Sequence, residues 1–109
     1  MIEIEINNAL MMLCGGNVSP LVAAQGTMPP YICYTKISES YDDVMCGQSS
    51  VTYCFQIDVY AKTLSEAEQT KIQAYNCIKR LKPFDVTSRQ DYEHETRLYR
   101  ATLEFYLIK

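Results

Sequence analysis

The sequence predicts a single α+β domain, residues 1–109, in which two helices pack on one face of a four-stranded, mainly antiparallel sheet. Three observations lead to this fold class. A length of 109 residues fits one domain. Two stretches repeat apolar residues at helical spacing, and four others alternate or are rich in β-formers. Their order is α-β-β-α-β-β, and two hairpins flanking a helix favour an antiparallel sheet with its helices on one side.

The first predicted helix covers residues 2–13. Its apolar residues share one face because they recur at i, i+4, i+7, i+8 and i+11, namely Ile2, Ile6, Ala9, Leu10 and Leu13. Gly15 and Gly16 then supply a left-handed end. Residues 17–30 contain three prolines and a glycine, so we expect an extended loop without regular structure there.

The first predicted hairpin joins a strand at 31–37 to a strand at 51–60 through a polar connection, residues 38–50. The earlier strand is rich in β-formers and nearly continuously apolar. The later strand alternates strictly, which points one set of side chains to a core and the other set to the opposite face. A connection of this length inside a small domain is typical of functional loops.

The second helix and the second hairpin follow. Thr63 with Glu66 has the spacing of a capping box, and Ser65 with Glu68 offers the same motif two residues later. The helix is predicted to run to about Leu81, before Pro83. Residues 84–92 are mostly polar and predict an edge strand. Residues 99–107 alternate and predict a fourth strand with one core face.

The sheet face away from the helices is predicted to be polar and tyrosine-bearing, with Gln56, Asp58, Tyr60, Arg100, Glu104 and Tyr106. Such a face contacts either water or a neighbouring subunit. The chain has nine tyrosines and five methionines. Both residue types are enriched in protein interfaces, although tyrosine is also favoured in strands.

The sequence offers no pattern for catalysis, cofactor binding or metal binding. His94 is the one histidine and lies in a polar turn, where we expect it to be solvated. The five cysteines include no C-x-x-C pair. A net charge of −3 with scattered basic residues argues against a dedicated nucleic-acid binder. An acidic N-terminal segment and the lack of a long apolar run predict a soluble, cytoplasmically made protein.

Several stretches, in order, resemble the tail-completion (tail-terminator) family of tailed bacteriophages. They are Val18-Ser19-Pro20, Ala24-Gln25-Gly26-Thr27, Pro30-Tyr31-Ile32-Cys33-Tyr34, Ile57-Asp58-Val59-Tyr60-Ala61-Lys62-Thr63 with Glu66-Ala67, and the C-terminal Tyr92-Glu93, Glu95-Thr96, Leu98-Tyr99-Arg100 and Leu103-Glu104-Phe105. The glycine-rich link between Leu13 and Pro20 is shorter than is usual for the family.

The resemblance implies a structural, non-catalytic virion protein. It would form a homo-oligomeric ring, expected to be a hexamer, that caps the tail tube, ends tube polymerisation and joins the head. The implied partners are further copies of the chain, the tail tube protein and the head–tail connector, with DNA only passing through the lumen. The implied locations are the host cytoplasm during assembly and then the tail or neck of the virion.

The residues expected to make these contacts lie on the polar sheet face and in the 39–49 loop. Arg97 and Arg100 are expected to contact acidic residues across a subunit boundary, and a pair between Arg100 and Asp58 within one chain is the alternative. The full set is Tyr41, Asp42, Asp43, Val44, Met45, Asp58, Tyr60, Arg97, Arg100, Glu104 and Tyr106.

Three other functions remain open from the sequence. The chain has the size expected of another neck or head-completion connector subunit. It also has the size of a small-ligand-binding regulatory domain, which would carry a pocket with convergent polar groups. A small hydrolase built on Cys46 and His94 is the third, although the acids beside Cys46 disfavour a reactive thiolate.

Overall fold

A computed structural model describes residues 2–42 and 50–109 of the chain. The described residues form two α-helices and five strands. In chain order these are α1 (Ile2–Leu10), β1 (Val18–Pro20), β2 (Tyr31–Asp42), β3 (Ser50–Ala61), α2 (Leu64–Ile78), β4 (Phe84–Glu93) and β5 (Leu98–Ile108). Short 3₁₀ turns follow each helix, at Leu13–Gly16 and Lys79–Leu81.

The predicted four-stranded, mainly antiparallel sheet is wrong. In the described part of the chain the sheet is five-stranded and mixed, in the order β1-β2-β3-β5-β4, and the element order is α-β-β-β-α-β-β. The missing strand is β1, which pairs in parallel with β2 through Val18↔Ile32 and Pro20↔Tyr34. The other three pairings are antiparallel.

Pro20 is compatible with β1 because of where its nitrogen points. Just before β1, the carbonyl of Asn17 accepts a hydrogen bond from the N–H of Ile32 in β2. Just after β1, the N–H of Leu21 donates one to the carbonyl of Tyr34 in β2. Alternation then directs the nitrogen of Pro20 outward, so the missing N–H removes no bond of the ladder. The segment predicted to be an irregular loop therefore contributes the edge of the sheet.

Two element boundaries also differ from the predicted ones. Helix α1 ends at Leu10, and Cys14 and Gly15 adopt left-handed φ angles of 52° and 61° soon afterwards. Strand β2 continues past residue 37 to Asp42, across a bulge between Lys36 and Ser38. The predicted connection thus begins later, and residues 43–49 of it lie outside the described part of the chain.

The core lies between the two helices and one face of the sheet, as predicted. Ile6 and Leu10 of α1 and Ile78 of α2 are fully buried in one cluster with Phe55 and Phe105 of the central strands. The two phenylalanine rings stack with centroids 6.1 Å apart. Each large side chain buried in this way contributes roughly 1.5–3 kcal/mol to stability.

The predicted start of α2 is confirmed. The Thr63 hydroxyl accepts a hydrogen bond from the backbone N–H of Glu66 at 3.2 Å, which satisfies one free amide of the first turn. Helix α2 then packs against β3 and β5. Because it covers this side of the central strands, their alternate side chains are displayed on the opposite side.

Candidate functional site

The candidate interaction surface is the polar sheet face, defined here as the side of β2, β3, β5 and β4 that faces away from the helices. The register of β3 and β5 sets Tyr60 beside Arg100, and Gln56 beside Glu104. All five sheet residues predicted for the site lie on this face, on two adjacent strands: Asp58, Tyr60, Arg100, Glu104 and Tyr106.

Asp58 occupies the centre of the polar sheet face and is only 7% exposed. Its carboxylate accepts a 2.6 Å hydrogen bond from the Thr102 hydroxyl and bonds of 3.0 and 3.2 Å from the Gln56 amide. A carboxylate removed from water needs such donors, since an unpaired one is costly to bury. Asp58 therefore holds β3 and β5 together through side chains.

Arg89 of β4 extends this network and was not predicted. Its guanidinium donates to the Gln56 side-chain oxygen at 3.1 Å and to Glu104 at 3.4 Å. Glu104 also lies 3.7 Å from the buried Cys54 sulfur, which is placed to donate to it. The network spans three strands, so its polar groups are held in fixed positions by one another.

Arg100 forms a two-pronged ion pair with Asp91 of the edge strand β4. The Nε atom donates to one carboxylate oxygen at 2.9 Å, and a terminal nitrogen donates to the other. The hydrogen bonds from Arg100 lower the pKa of Asp91, and those to Asp91 and Tyr60 raise the pKa of Arg100. The alternative of an Arg100–Asp58 pair is wrong, because Arg100 pairs with Asp91 and Asp58 with Thr102.

Two tyrosines lie at the end of the polar sheet face that is near the β4–β5 turn. The rings of Tyr31 and Tyr60 stack with their centroids 4.9 Å apart, and burial raises the pKa of both. A cleft of about 700 Å³ opens beside them, bounded by residues 21–29 and by Cys33, Lys62, Glu93, Thr96 and Leu98. The cleft brings a lysine, a glutamate and two phenols to one end of the sheet.

The other predicted contact residues are distributed over both ends of the sheet. Tyr41 is exposed near the end of β2 and donates a 2.6 Å bond to Glu39. Asp42 ends that strand, opposite Ser50, whereas Asp43, Val44 and Met45 lie outside the described residues. Arg97 is exposed in the β4–β5 turn with a φ of 59°.

Groups with chemical reactivity are dispersed in the described residues. His94 packs edge-on against Tyr92 at 5.1 Å, and Cys46, its partner in the hydrolase hypothesis, lies outside residues 2–42 and 50–109. Burial raises the pKa of the Cys33 and Cys54 thiols, which disfavours the reactive thiolate. Within those ranges no three His, Cys, Asp or Glu side chains group to hold a metal. No helix there is long and apolar enough to cross a membrane.

The fold and this face together define a class: a small α+β protein with one helix-covered face and one ordered, polar, tyrosine-bearing face. Its family follows from comparison with known proteins. The chain belongs to the family described as tail completion protein gp17, whose model matches residues 6–108. The resemblance seen in the sequence is thereby confirmed, and the protein is a structural protein of the tail or neck of a phage-like virion.

The fold is shared with solved structures. A chain titled "Virion of native gene transfer agent (GTA) particle" superposes with a TM-score of 0.63, over 91% of this chain and 82% of that one. The two sequences are 14% identical, so the likeness concerns the fold alone. A search of curated proteins finds no match.

Proposed function

We propose that the protein assembles into a homo-oligomeric ring, expected to contain six copies, which caps the completed tail tube. The ring ends tube polymerisation and offers its other rim to the head–tail connector, while DNA passes through the lumen. The observation that carries this proposal is the family match from residue 6 to residue 108, which spans the domain from α1 to β5. The implied setting is the host cytoplasm during assembly and the virion afterwards.

The polar sheet face is a suitable contact surface in such a ring. Its side chains are already fixed by the Arg100–Asp91 fork, the Tyr31–Tyr60 stack and the Asp58 network. Pre-ordered side chains lower the entropy that is lost when two surfaces associate. We assign Tyr60, Arg100, Glu104 and Tyr106 to a subunit contact, together with Arg97 in the adjoining turn.

Net charge is compatible with DNA as a passing cargo. The chain carries a formal charge of −3, and the Arg89 and Arg100 guanidiniums on the polar sheet face are occupied by Glu104 and Asp91. Tight phosphate binding needs clustered cations that are free to displace counterions. A lumen built from this chain would therefore let DNA move without holding it.

Tail length in the absence of the protein is the decisive experiment. A phage genome that lacks only this coding sequence should yield overlong tubes without heads, measured by electron microscopy of lysates. Supplying the wild-type protein in trans should restore uniform length. Tails of normal length that fail to join heads would instead assign the protein to a connector role.

A small-ligand function has one observation in its favour, the cleft beside Tyr31 and Tyr60, where Lys62 and Glu93 converge. A ligand of that site should raise the melting temperature of the wild-type protein and not of a Lys62→Ala variant. A thermal-shift screen of common metabolites tests this directly. The absence of any such shift, with tail length altered by deletion, leaves the ring as the function.

A further inference from the structure

The segment after β1 displays an unusual amount of apolar surface. Residues 21–30 contain no charged side chain, and three large apolar ones project from them: Leu21 is 67% exposed, Val22 75% and Met28 67%. We call residues 21–28 the apolar loop. All three line the cleft beside Tyr31 and Tyr60, and exposed apolar groups collected at one place are typical of protein contact sites.

Hydrogen bonds fix the conformation of the apolar loop. The N–H of Leu21 bonds to the carbonyl of Tyr34, and the hydroxyl and N–H of Thr27 bond to the carbonyl of Ala24 at 2.6 and 3.1 Å. Leu21 itself has a φ of 65°, a conformation that a leucine rarely adopts. The chain therefore keeps a large apolar side chain exposed at a position better suited to glycine or asparagine.

A recess of matching character lies at the other edge of the sheet, between α2 and β4. It measures about 190 Å³ and is lined by Lys71, Ile72, Tyr75, Val86, Thr87, Ser88 and Leu103. Ile72 at its rim is half exposed. The charge of Lys71 is balanced by Glu68 at 2.8 Å, so the rim suits an uncharged occupant.

Size and position together indicate the occupant. The recess is open to solvent on one side, and its volume of about 190 Å³ leaves room for one leucine or methionine side chain, since about 150 Å³ is enough for benzene. The apolar loop runs from β1 to the end of the sheet near the β4–β5 turn, where it lines the cleft with Glu93 and Leu98. The recess lies farther along β4, at Val86, Thr87 and Ser88, roughly 16–23 Å from Glu93 at about 3.3 Å a residue, so a chain cannot fill its own recess. A second copy can.

We propose that the apolar loop of one copy packs into the α2–β4 recess of the next copy. The inference rests on the self-association in the proposed function and adds a second contact between neighbouring copies to the one assigned to the polar sheet face. The two surfaces differ, so the contact is heterologous, and a joined pair of copies keeps one free loop and one free recess. Repetition of such a contact closes a ring when its rotation permits, and otherwise extends a filament.

Matched aspartate variants test the contact. Leu21→Asp removes the loop side of it, and aspartate tolerates the left-handed φ at that position. Ile72→Asp removes the recess side. The control is Met12→Asp, since Met12 is 84% exposed and lies outside both surfaces. Circular dichroism confirms that each variant is folded.

Sedimentation velocity and light scattering over a concentration series give the result. Leu21→Asp and Ile72→Asp should each weaken self-association roughly 10- to 100-fold, as expected for losing one buried large apolar side chain. The control should associate like the wild type. An equimolar mixture of the two variants restores one intact loop and one intact recess, so it should form dimers of one copy of each and nothing larger.

The outcomes separate this inference from the proposed function. If the wild-type protein associates and both variants associate as strongly as it does, the loop-and-recess contact is wrong and the ring uses another surface. Wild-type protein that stays monomeric at every concentration also overturns it, because the contact needs no other component. In either case tail length in the deletion experiment decides independently whether the protein ends the tube.

Discussion

Replacing Thr102 by valine is expected to destabilise the domain by about 1.5–3 kcal/mol. Thr102 is 3% exposed, and its hydroxyl donates a 2.6 Å hydrogen bond to the buried carboxylate of Asp58. Valine has nearly the same shape, so no cavity forms. The loss therefore reports the hydrogen bond to a charged group, with Asp58 left to Gln56 alone.

Urea unfolding followed by circular dichroism measures the effect, at a concentration where light scattering shows monomers. Destabilisation of this size corresponds to a fall in melting temperature of roughly 5–20 °C for a domain near 100 residues. Thr52→Val is the matched control, because Thr52 of β3 lies on the polar sheet face, as Thr102 does, and is only partly buried. We expect it to change stability by less than about 0.5 kcal/mol. Equal stability of the two variants would refute the structural role assigned to Asp58.

Three further predictions concern the polar sheet face and the core. Arg100→Glu should leave a folded chain that assembles poorly by light scattering; if the defect arises only from the lost pair within the chain, Asp91→Arg in the same chain should rescue it. Asp91→Asn should reduce the loss of unfolding free energy at acid pH, measured by urea titrations at a series of pH values. The lowered pKa of Asp91 means that its contribution is present above the unfolded pKa of about 3.9 and is lost as pH falls through the folded value, so an unchanged loss at acid pH would contradict the pair. Phe105→Ala, at a fully buried position, should cost about 3–5 kcal/mol in denaturant unfolding, and a smaller loss than for Thr102→Val would place the core elsewhere.

Strong periodicity was the part of the sequence that predicted structure well. Strand β3 alternates over its length, and the structure buries Phe55, Ile57 and Val59 against the helices while Gln56 faces the other way. Strand β1 has only three residues, too few for a period to be visible. Its Pro20 is a breaker in most contexts and harmless at this edge.

The hydrogen-bond partners on the polar sheet face depend on information that local patterns lack. Arg89 and Gln56 are 33 positions apart and meet only because β4 pairs with β5 and β5 with β3. The Arg100–Asp91 pair could in principle be predicted from the sequence. The two residues lie opposite each other across a hairpin whose turn is centred between Glu95 and Thr96, so counting outward from that turn gives the pair.

The shortness of β1 leaves the margin of β2 uncovered from residue 35 onward within the described chain. Free amides and carbonyls along such a margin invite indiscriminate cross-strand association between molecules. Two devices already present oppose it: the bulge after Lys36 breaks the regular spacing of those groups, and the ion pairs of Lys36 with Glu3 and Glu39 set charge along the margin. These devices oppose backbone pairing between newly made chains at high concentration. The specificity of association then depends on side-chain contacts.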